Sequence, residues 1–177
     1  MRTRVKEGKI KRWVLFFAML LSVMVLLVPT TQAADEVAGR ITYHTQKVET
    51  VEVGDVPGHI MGVSQAPGLA FYTKGPDAGK TATRISTTCF DVVKGKGTTT
   101  GYTVNTFEDG STLIYTIKGT VTPIDGGKKV AQEGTNDVTG TGRYAGTKMK
   151  CTWKGERIGS QNTGGDGYAD FTCTILK

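Results

Sequence analysis

Apolar and polar side chains alternate with a period of two residues through much of the chain after Gly39, and few windows show the 3.6-residue period of a helix. The β-branched residues threonine, valine and isoleucine, which favour strands, are frequent there. Turn signals separate these windows at short intervals: Gly54-Asp55, Gly75-Pro76-Asp77, Gly95-Lys96-Gly97, Asp109-Gly110, Asp125-Gly126-Gly127 and residues 162–167. Short strands at this spacing predict an all-β barrel or sandwich in one domain.

The turn signal Asp109-Gly110 predicts a two-residue hairpin. Centred on that pair, the hairpin places Tyr102 opposite Ile117 and Val104 opposite Tyr115. One face of the hairpin is then mainly apolar. We therefore expect Tyr102 and Tyr115 to point into the domain.

A second hairpin centred on Asn162 brings together three favourable cross-strand pairs. The pairs are Trp153 with Phe171, Cys151 with Cys173, and Lys154 with Asp170. A slip of one residue would turn every side chain of one strand to the other face, so the agreement of all three pairs supports this register. It predicts a Cys151–Cys173 disulfide with Cys89 as the spare thiol, and three buried free cysteines are the alternative.

Residues 1–33 have the three parts of a secretory signal. A basic stretch ends at Lys11-Arg12, an apolar run extends from Trp13 to Val28, and Thr31-Gln32-Ala33 provides small residues for cleavage. The apolar run is shorter than the roughly 20 residues of a bilayer span. We predict cleavage near Ala33 and a single exported domain, residues 34–177, in the periplasm or outside the cell; an uncleaved anchor is the alternative.

The net charge that bears on possible partners is that of the chain without the predicted leader. The whole chain has a net charge of +6, but residues 1–33 carry six basic side chains and one acid, which leaves +1 for the rest. A nearly neutral domain gives no electrostatic reason to expect nucleic acid or an anionic membrane as partner. We predict neither.

Candidate catalytic and metal-binding residues are few. His44 and His59 are the only histidines, and their spacing matches no metal motif. Cys89 has no basic neighbour in sequence that would activate it as a nucleophile. No nucleophile elbow, phosphate loop or dinucleotide fingerprint is complete. These observations favour a protein without a metal, a cofactor or a catalytic centre.

The segment Val138-Thr-Gly-Thr-Gly-Arg-Tyr-Ala-Gly-Thr-Lys-Met149 resembles the Gly-Gly-Thr-Gly-x-Phe-x-Gly stretch of dirigent proteins and allene oxide cyclases. Residues 58–63, 68–72, 106–111 and 168–176 follow the order of parts in that superfamily, and the likeness covers most of residues 39–177. The resemblance implies an antiparallel barrel of about eight strands, as found in exported members without assigned activity. Glycines 140, 142 and 146 would then bend the sheet so that it closes.

A barrel of this size is either filled by side chains or holds one small ligand. The resemblance implies an apolar cavity, and Tyr102, Tyr115, Trp153 and Phe171 are the residues that we predict to contact a ligand. The leading hypothesis is a non-enzymatic exported barrel that binds a small apolar molecule or is purely structural. One alternative is a cyclase or isomerase that confines its substrate, and another is an interaction module for a second exported protein. Self-association is left open.

Overall fold

The computed structural model describes residues 35–161 and 163–176. The predicted leader, residues 1–33, and the centre of the last hairpin, Asn162, lie outside the described residues. The described residues form nine strands: β1 Glu36–His44, β2 Lys47–Glu52, β3 His59–Lys74, β4 Thr81–Val93, β5 Lys96–Thr106, β6 Thr112–Ile124, β7 Lys129–Gly140, β8 Lys148–Ile158 and β9 Asp166–Ile175. Two single 3₁₀ turns, Asp125–Gly127 and Gly142–Tyr144, flank β7. The predicted turn signals coincide with breaks between these strands.

The sheet closes on itself through β1, which pairs with β9 on one side and with β3 on the other. Eight antiparallel strands, all except β2, therefore form a complete ring. The prediction of a single antiparallel barrel of about eight strands is confirmed. Strand β2 is an addition that pairs with the first half of β3, while β1 pairs with the second half.

The last hairpin has the predicted register. Cys151 is opposite Cys173, Trp153 is opposite Phe171, and the two cysteines form a disulfide. Cys89 is a free, exposed cysteine on β4. The disulfide pairing and the spare thiol are thus confirmed.

The register predicted for the β5–β6 hairpin is wrong by one residue. Thr103, not Val104, is opposite Tyr115, and Gly101 is opposite Ile117. The loop has three central residues rather than two, because the Phe107 N–H donates to the Ser111 carbonyl at 2.9 Å and Gly110 adopts a left-handed φ of 79°. The inward face of β5 is consequently polar, and Tyr102 points outwards.

One end of the barrel, which we call the closed end, is packed with aromatic and aliphatic side chains. Tyr72, Phe107, Leu113 and Phe171 belong to one buried cluster there, together with the disulfide. The Tyr72 and Phe107 ring centroids are 5.2 Å apart, and Tyr72 meets Phe171 edge to face at 5.6 Å. Packing of this kind leaves little free space at this end of the interior.

The glycine-rich segment 138–149 seals the closed end. Gly142 and Gly146 adopt left-handed φ angles of 62° and 81°, which a β-carbon would strain. The turn between them directs Arg143 and Tyr144 at the buried carboxylate of Asp77: the Arg143 guanidinium donates to it at 3.1 Å and the Tyr144 hydroxyl at 2.7 Å. This segment is therefore part of the architecture, as its glycines predict.

Candidate functional site

A cavity of about 100 Å³ lies inside the barrel beyond the closed end. Its apolar wall includes Ile41, Ala66, Ile117, Ala169 and Phe171. Its polar wall includes two arginines, two asparagines, glutamine, tyrosine, serine and threonine side chains from β1, β3 to β8 and the turn after β8. The interior is therefore amphipathic, with a polar share that a purely apolar container would not need.

Trp153 lines this cavity because two glycines make room for its ring. A β-carbon on Gly134 would come within 2.8 Å of the indole Cζ2 atom, and one on Gly119 within 2.6 Å. Gly134 lies on β7, which pairs with β8, and Gly119 lies on β6, the strand beyond it, so the indole lies across β7 and β6. The indole Nε1 is buried and has no hydrogen-bond partner among the described residues.

Arg84 points inwards from β4, and only 5% of the residue is exposed. Its Nη2 donates to the Thr103 hydroxyl at 3.1 Å, whereas Nε and Nη1 are buried without a partner among the described residues. The guanidinium carbon lies 5.3 Å from the ring centroid of Tyr43. Burial lowers the pKa of Arg84 from 12.5 to about 10. The side chain thus still carries its charge at neutral pH.

Arg157 is a second buried arginine in the same cavity, 3% exposed. Its Nη2 donates to the Ser160 carbonyl and to the Gln161 side-chain oxygen, each at 2.7 Å, while Nε has no partner within residues 35–161 and 163–176. Burial lowers the pKa of Arg157, and the charges of both arginines oppose the rise that burial causes in the pKa of the Tyr43 phenol. Tyr43 therefore interacts electrostatically with both guanidinium groups. Its hydroxyl donates a hydrogen bond to the side-chain oxygen of Gln132 at 3.0 Å.

Unpaired acceptors accompany these unpaired donors. The Asn105 amide nitrogen donates to the Tyr72 hydroxyl at 2.9 Å, but its side-chain oxygen has no partner. The side-chain oxygen of Asn136 is likewise buried and unpaired. Buried polar groups are nearly always hydrogen-bonded, so several unpaired ones around a single cavity require an explanation.

The charge of this cavity is not balanced by its own walls. Among the described residues that line it, two are arginines and none is aspartate, glutamate, histidine, lysine or cysteine. Proton transfer near neutral pH needs a group whose pKa is close to that pH. Burial instead raises the pKa of Tyr43 and of Tyr115 further above 10. The chemistry that the lining supports is hydrogen bonding and charge pairing.

The structure brings three of the four predicted ligand-contacting residues together. Tyr115, Trp153 and Phe171 line the cavity. Tyr102 does not, because the corrected register places it on the outer face, where 60% of the residue is exposed. Contact of the other three with a ligand stays a prediction. The sequence analysis missed Arg84 and Arg157, although each has the same strand parity as an inward apolar residue.

The histidines lie apart from the cavity. His44 pairs with Asp166 at 2.8 Å, and His59 lies between Asp55 and Asp91, at 2.6 and 2.8 Å. No group of three or more histidine, cysteine, aspartate or glutamate side chains suited to a metal occurs among residues 35–161 and 163–176. Within the same ranges, no helix is long and apolar enough to cross a bilayer.

Comparison of the chain with models of protein families, with curated proteins and with solved structures gives no match in any of the three. The resemblance to the allene oxide cyclase and dirigent superfamily therefore rests on the glycine-rich segment and the order of parts in the sequence. The function has to be argued from the cavity itself.

Proposed function

We propose that the protein is an exported, non-enzymatic barrel that binds one small molecule in its interior. The observation that carries this proposal is the set of buried polar atoms around a single cavity that have no hydrogen-bond partner among the described residues: Thr45 Oγ1, Arg84 Nε and Nη1, Arg157 Nε, Trp153 Nε1, Asn105 Oδ1 and Asn136 Oδ1. Each unpaired buried group costs about 1–3 kcal/mol, and a bound ligand would recover part of that cost. Binding sites typically combine such convergent polar groups with apolar walls.

The volume limits the size of the ligand. A cavity of roughly 150 Å³ accommodates benzene, and sites for drug-sized molecules usually exceed roughly 300 Å³. At about 100 Å³ the cavity fits only a very small molecule or one end of a longer one. A whole fatty acid or phenolic dimer would therefore not fit inside, and only one end of such a molecule could enter.

Binding rather than catalysis fits the chemistry of the lining, since none of its described side chains titrates near neutral pH in the absence of a ligand. Export is supported by the leader-like residues 1–33 and by the Cys151–Cys173 disulfide, which persists in an oxidising compartment.

A cavity-filling variant tests interior binding. Ala66 lines the cavity, so Ala66→Leu should fill much of it, whereas Ala78→Leu adds the same atoms to an exposed turn. Ligand-observed NMR with a panel of charged and neutral molecules of up to about six non-hydrogen atoms is the measurement. We expect saturable binding to the wild type and to Ala78→Leu, and its loss in Ala66→Leu. Absence of any binder, or binding that persists in a folded Ala66→Leu, would overturn the proposal.

A second candidate role, self-association, is favoured by the outer face of β3 to β5. Its exposed side chains include Val63, Leu69, Phe71, Ile85, Tyr102 and Val104. No charged residue points outwards in the adjoining stretches 61–71, 81–89 and 98–106. By contrast, the outer face of β7 to β9 carries Glu133, Asp137, Lys154 and Asp170 among others. An uncharged apolar face can pack against a copy of itself without like-charge repulsion, so we propose a second copy of this chain as its occupant.

Light scattering coupled to size-exclusion chromatography tests self-association. Ile85 and Val104 are neighbours on β4 and β5 at the centre of this face. We expect an oligomer for the wild type and for a Thr172→Lys control on the opposite face, and a monomer for Ile85→Lys. A monomeric wild type at concentrations of about 100 μM, where an interface of standard size would be populated, would refute this role.

A further inference from the structure

Arg84 and Arg157, the two arginines in the cavity, have no acidic partner in the part of the chain that the structure describes, and this feature indicates the charge of the ligand. Buried charges in proteins are ordinarily paired, because an unpaired charge loses its hydration without gaining a compensating interaction. Among the described residues, Arg84 and Arg157 donate hydrogen bonds to neutral acceptors: the Thr103 hydroxyl, the Gln161 side-chain oxygen and the Ser160 carbonyl. Two other arginines do pair with carboxylates, Arg40 with Asp170 and Arg143 with Asp77.

We infer that the ligand bound in the barrel carries a carboxylate, which Arg84 and Arg157 recognise. This inference rests on the proposed interior binding and names the class of ligand. A guanidinium offers several N–H donors in one plane and forms strong, charge-assisted hydrogen bonds with carboxylate oxygens. The unpaired Nε and Nη1 of Arg84 and the unpaired Nε of Arg157 are the donors available for it.

The rest of the lining describes the body to which this carboxylate is attached. Ile41, Ala66, Ile117 and Ala169 provide an apolar wall, which suits a short hydrocarbon portion. The small volume excludes a bulky body and favours a carboxylic acid of few carbon atoms or the head of a longer acid. Inorganic anions lack the apolar part, so they would leave this wall without a contact.

The unpaired oxygens of Asn105 and Asn136 add a further requirement. They are acceptors, so a carboxylate alone leaves them unsatisfied. A hydroxyl group on the body of the acid could donate to one of them. We therefore expect a short hydroxy acid to bind more tightly than the acid of the same carbon number without the hydroxyl.

Isothermal titration calorimetry at constant ionic strength tests the inference with four probes: propionate, lactate, the neutral isostere propionamide, and inorganic phosphate. We expect saturable binding of propionate, tighter binding of lactate, and affinities for propionamide and phosphate lower by roughly 10-fold or more. Equal affinity for propionate and propionamide would overturn the inference, and so would preferential binding of phosphate. Lactate binding no more tightly than propionate would overturn the assignment of the asparagine oxygens.

Matched arginine variants locate the effect. Arg84→Met and Arg157→Met remove one charge each from the cavity, while Arg40→Met removes the same charge from the outer face, where Arg40 pairs with Asp170. We expect each cavity variant to weaken propionate binding by roughly 10- to 100-fold and Arg40→Met to leave it unchanged. Unchanged affinity in folded Arg84→Met and Arg157→Met would contradict the inference. Methionine is similar in volume, and circular dichroism shows whether each variant is folded.

Interior binding and recognition of a carboxylate can be refuted separately. Neutral fragments that bind the wild type and are lost in Ala66→Leu would keep the proposed interior binding, while refuting the carboxylate. Absence of all binding, charged and neutral, would refute both.

Discussion

The closed end and the cavity occupy the same barrel but satisfy their polar groups in opposite ways. At the closed end the carboxylate of Asp77 receives hydrogen bonds from Arg143, Tyr144 and Lys80, so charge is paired where it is buried. In the cavity Arg84 and Arg157 are more deeply buried than Arg143 and have no carboxylate partner among the described residues. Tyr72 lies at the boundary between the two regions. Its hydroxyl is hydrogen-bonded to the Tyr115 hydroxyl and accepts a hydrogen bond from the Asn105 amide nitrogen.

This difference suggests a division of labour inside one small barrel. The closed end combines the disulfide, aromatic rings in tilted and edge-to-face contact, and paired charges around Asp77, and each of these adds to stability. The cavity lowers the free energy of unfolding, because several of its buried polar groups are unpaired. Sites that break the rules of packing and hydrogen bonding are expected to be functional, because a stable fold has no other reason to retain them.

Truncation at the closed end is expected to have the largest effect. Leu113 is fully buried in the aromatic cluster, so Leu113→Ala should lower the free energy of unfolding by about 2–5 kcal/mol. Its neighbour Ile114 points to the outer face, and Ile114→Ala should cost less than about 1 kcal/mol. Urea denaturation measures both. Equal losses at the two positions would show that the closed end is not the packed core of the barrel.

Removal of the disulfide should come next. The bond links positions 22 residues apart in the closed end, and its loss frees a chain loop for which the entropy model gives roughly 3 kcal/mol. The double variant Cys151→Ala, Cys173→Ala should lose about that much stability, whereas Cys89→Ala should change it by less than about 0.5 kcal/mol. If the double variant proved as stable as Cys89→Ala, the disulfide would have no stabilising role.

Substitution of a buried arginine in the cavity should raise the free energy of unfolding rather than lower it. Because Arg84 is buried without a counter-charge, Arg84→Met is expected to raise the free energy of unfolding by about 1–3 kcal/mol in the absence of carboxylates. The exposed Arg40→Met should lie within about 1 kcal/mol of the wild type. Denaturation in a carboxylate-free buffer decides between them. A marked loss of stability in Arg84→Met would mean that Arg84 serves the fold.

The smallest effect is expected at a surface cluster outside both regions. Hydrogen bonds to Asp91 and Asp55 raise the pKa of His59 above 6.5. The protonated ring therefore stabilises the folded state at pH below about 6.5, and this contribution is lost as the pH rises through the folded-state pKa. The midpoint of thermal unfolding should fall between pH 6.5 and 8.5 slightly more in the wild type than in His59→Gln. An identical pH dependence in the two proteins would exclude this ion cluster as a source of stability.

The sequence alone predicts the barrel and the last hairpin well, because there apolar, charged and cysteine pairs all select one register. The prediction fails at the β5–β6 hairpin, because the register that pairs apolar residues places Tyr102 on the inner face. In the structure the inner face of β5 carries Thr103 and Asn105 instead. A polar interior defeats any prediction that equates apolar with inward. The ligand hypothesis consequently omitted the residues that most distinguish the cavity.

Strand parity contained the missing signal. Arg84 lies an even number of residues before the buried Phe90 on β4, and Arg157 lies an even number after Cys151 on β8. Side chains at such spacings share a face of a strand. Every second residue counted from a buried apolar residue of the same strand faces the interior, whatever its polarity. This rule places both arginines inside the barrel. The absence of a nearby acid could not be inferred in this way, since it depends on all eight strands at once.

The central claim is that the barrel interior presents unpaired guanidinium groups to a carboxylate. The most direct measurement is a titration of the uniformly ¹⁵N-labelled protein with propionate, followed through the arginine Nε–H resonances, of which residues 34–177 contribute only four. Arg40, Arg84, Arg143 and Arg157 can be assigned by single substitutions. We expect saturable shifts for Arg84 and Arg157 and none for Arg40 and Arg143. Shifts confined to the two outer arginines, or no saturable shift at any of the four, would contradict it.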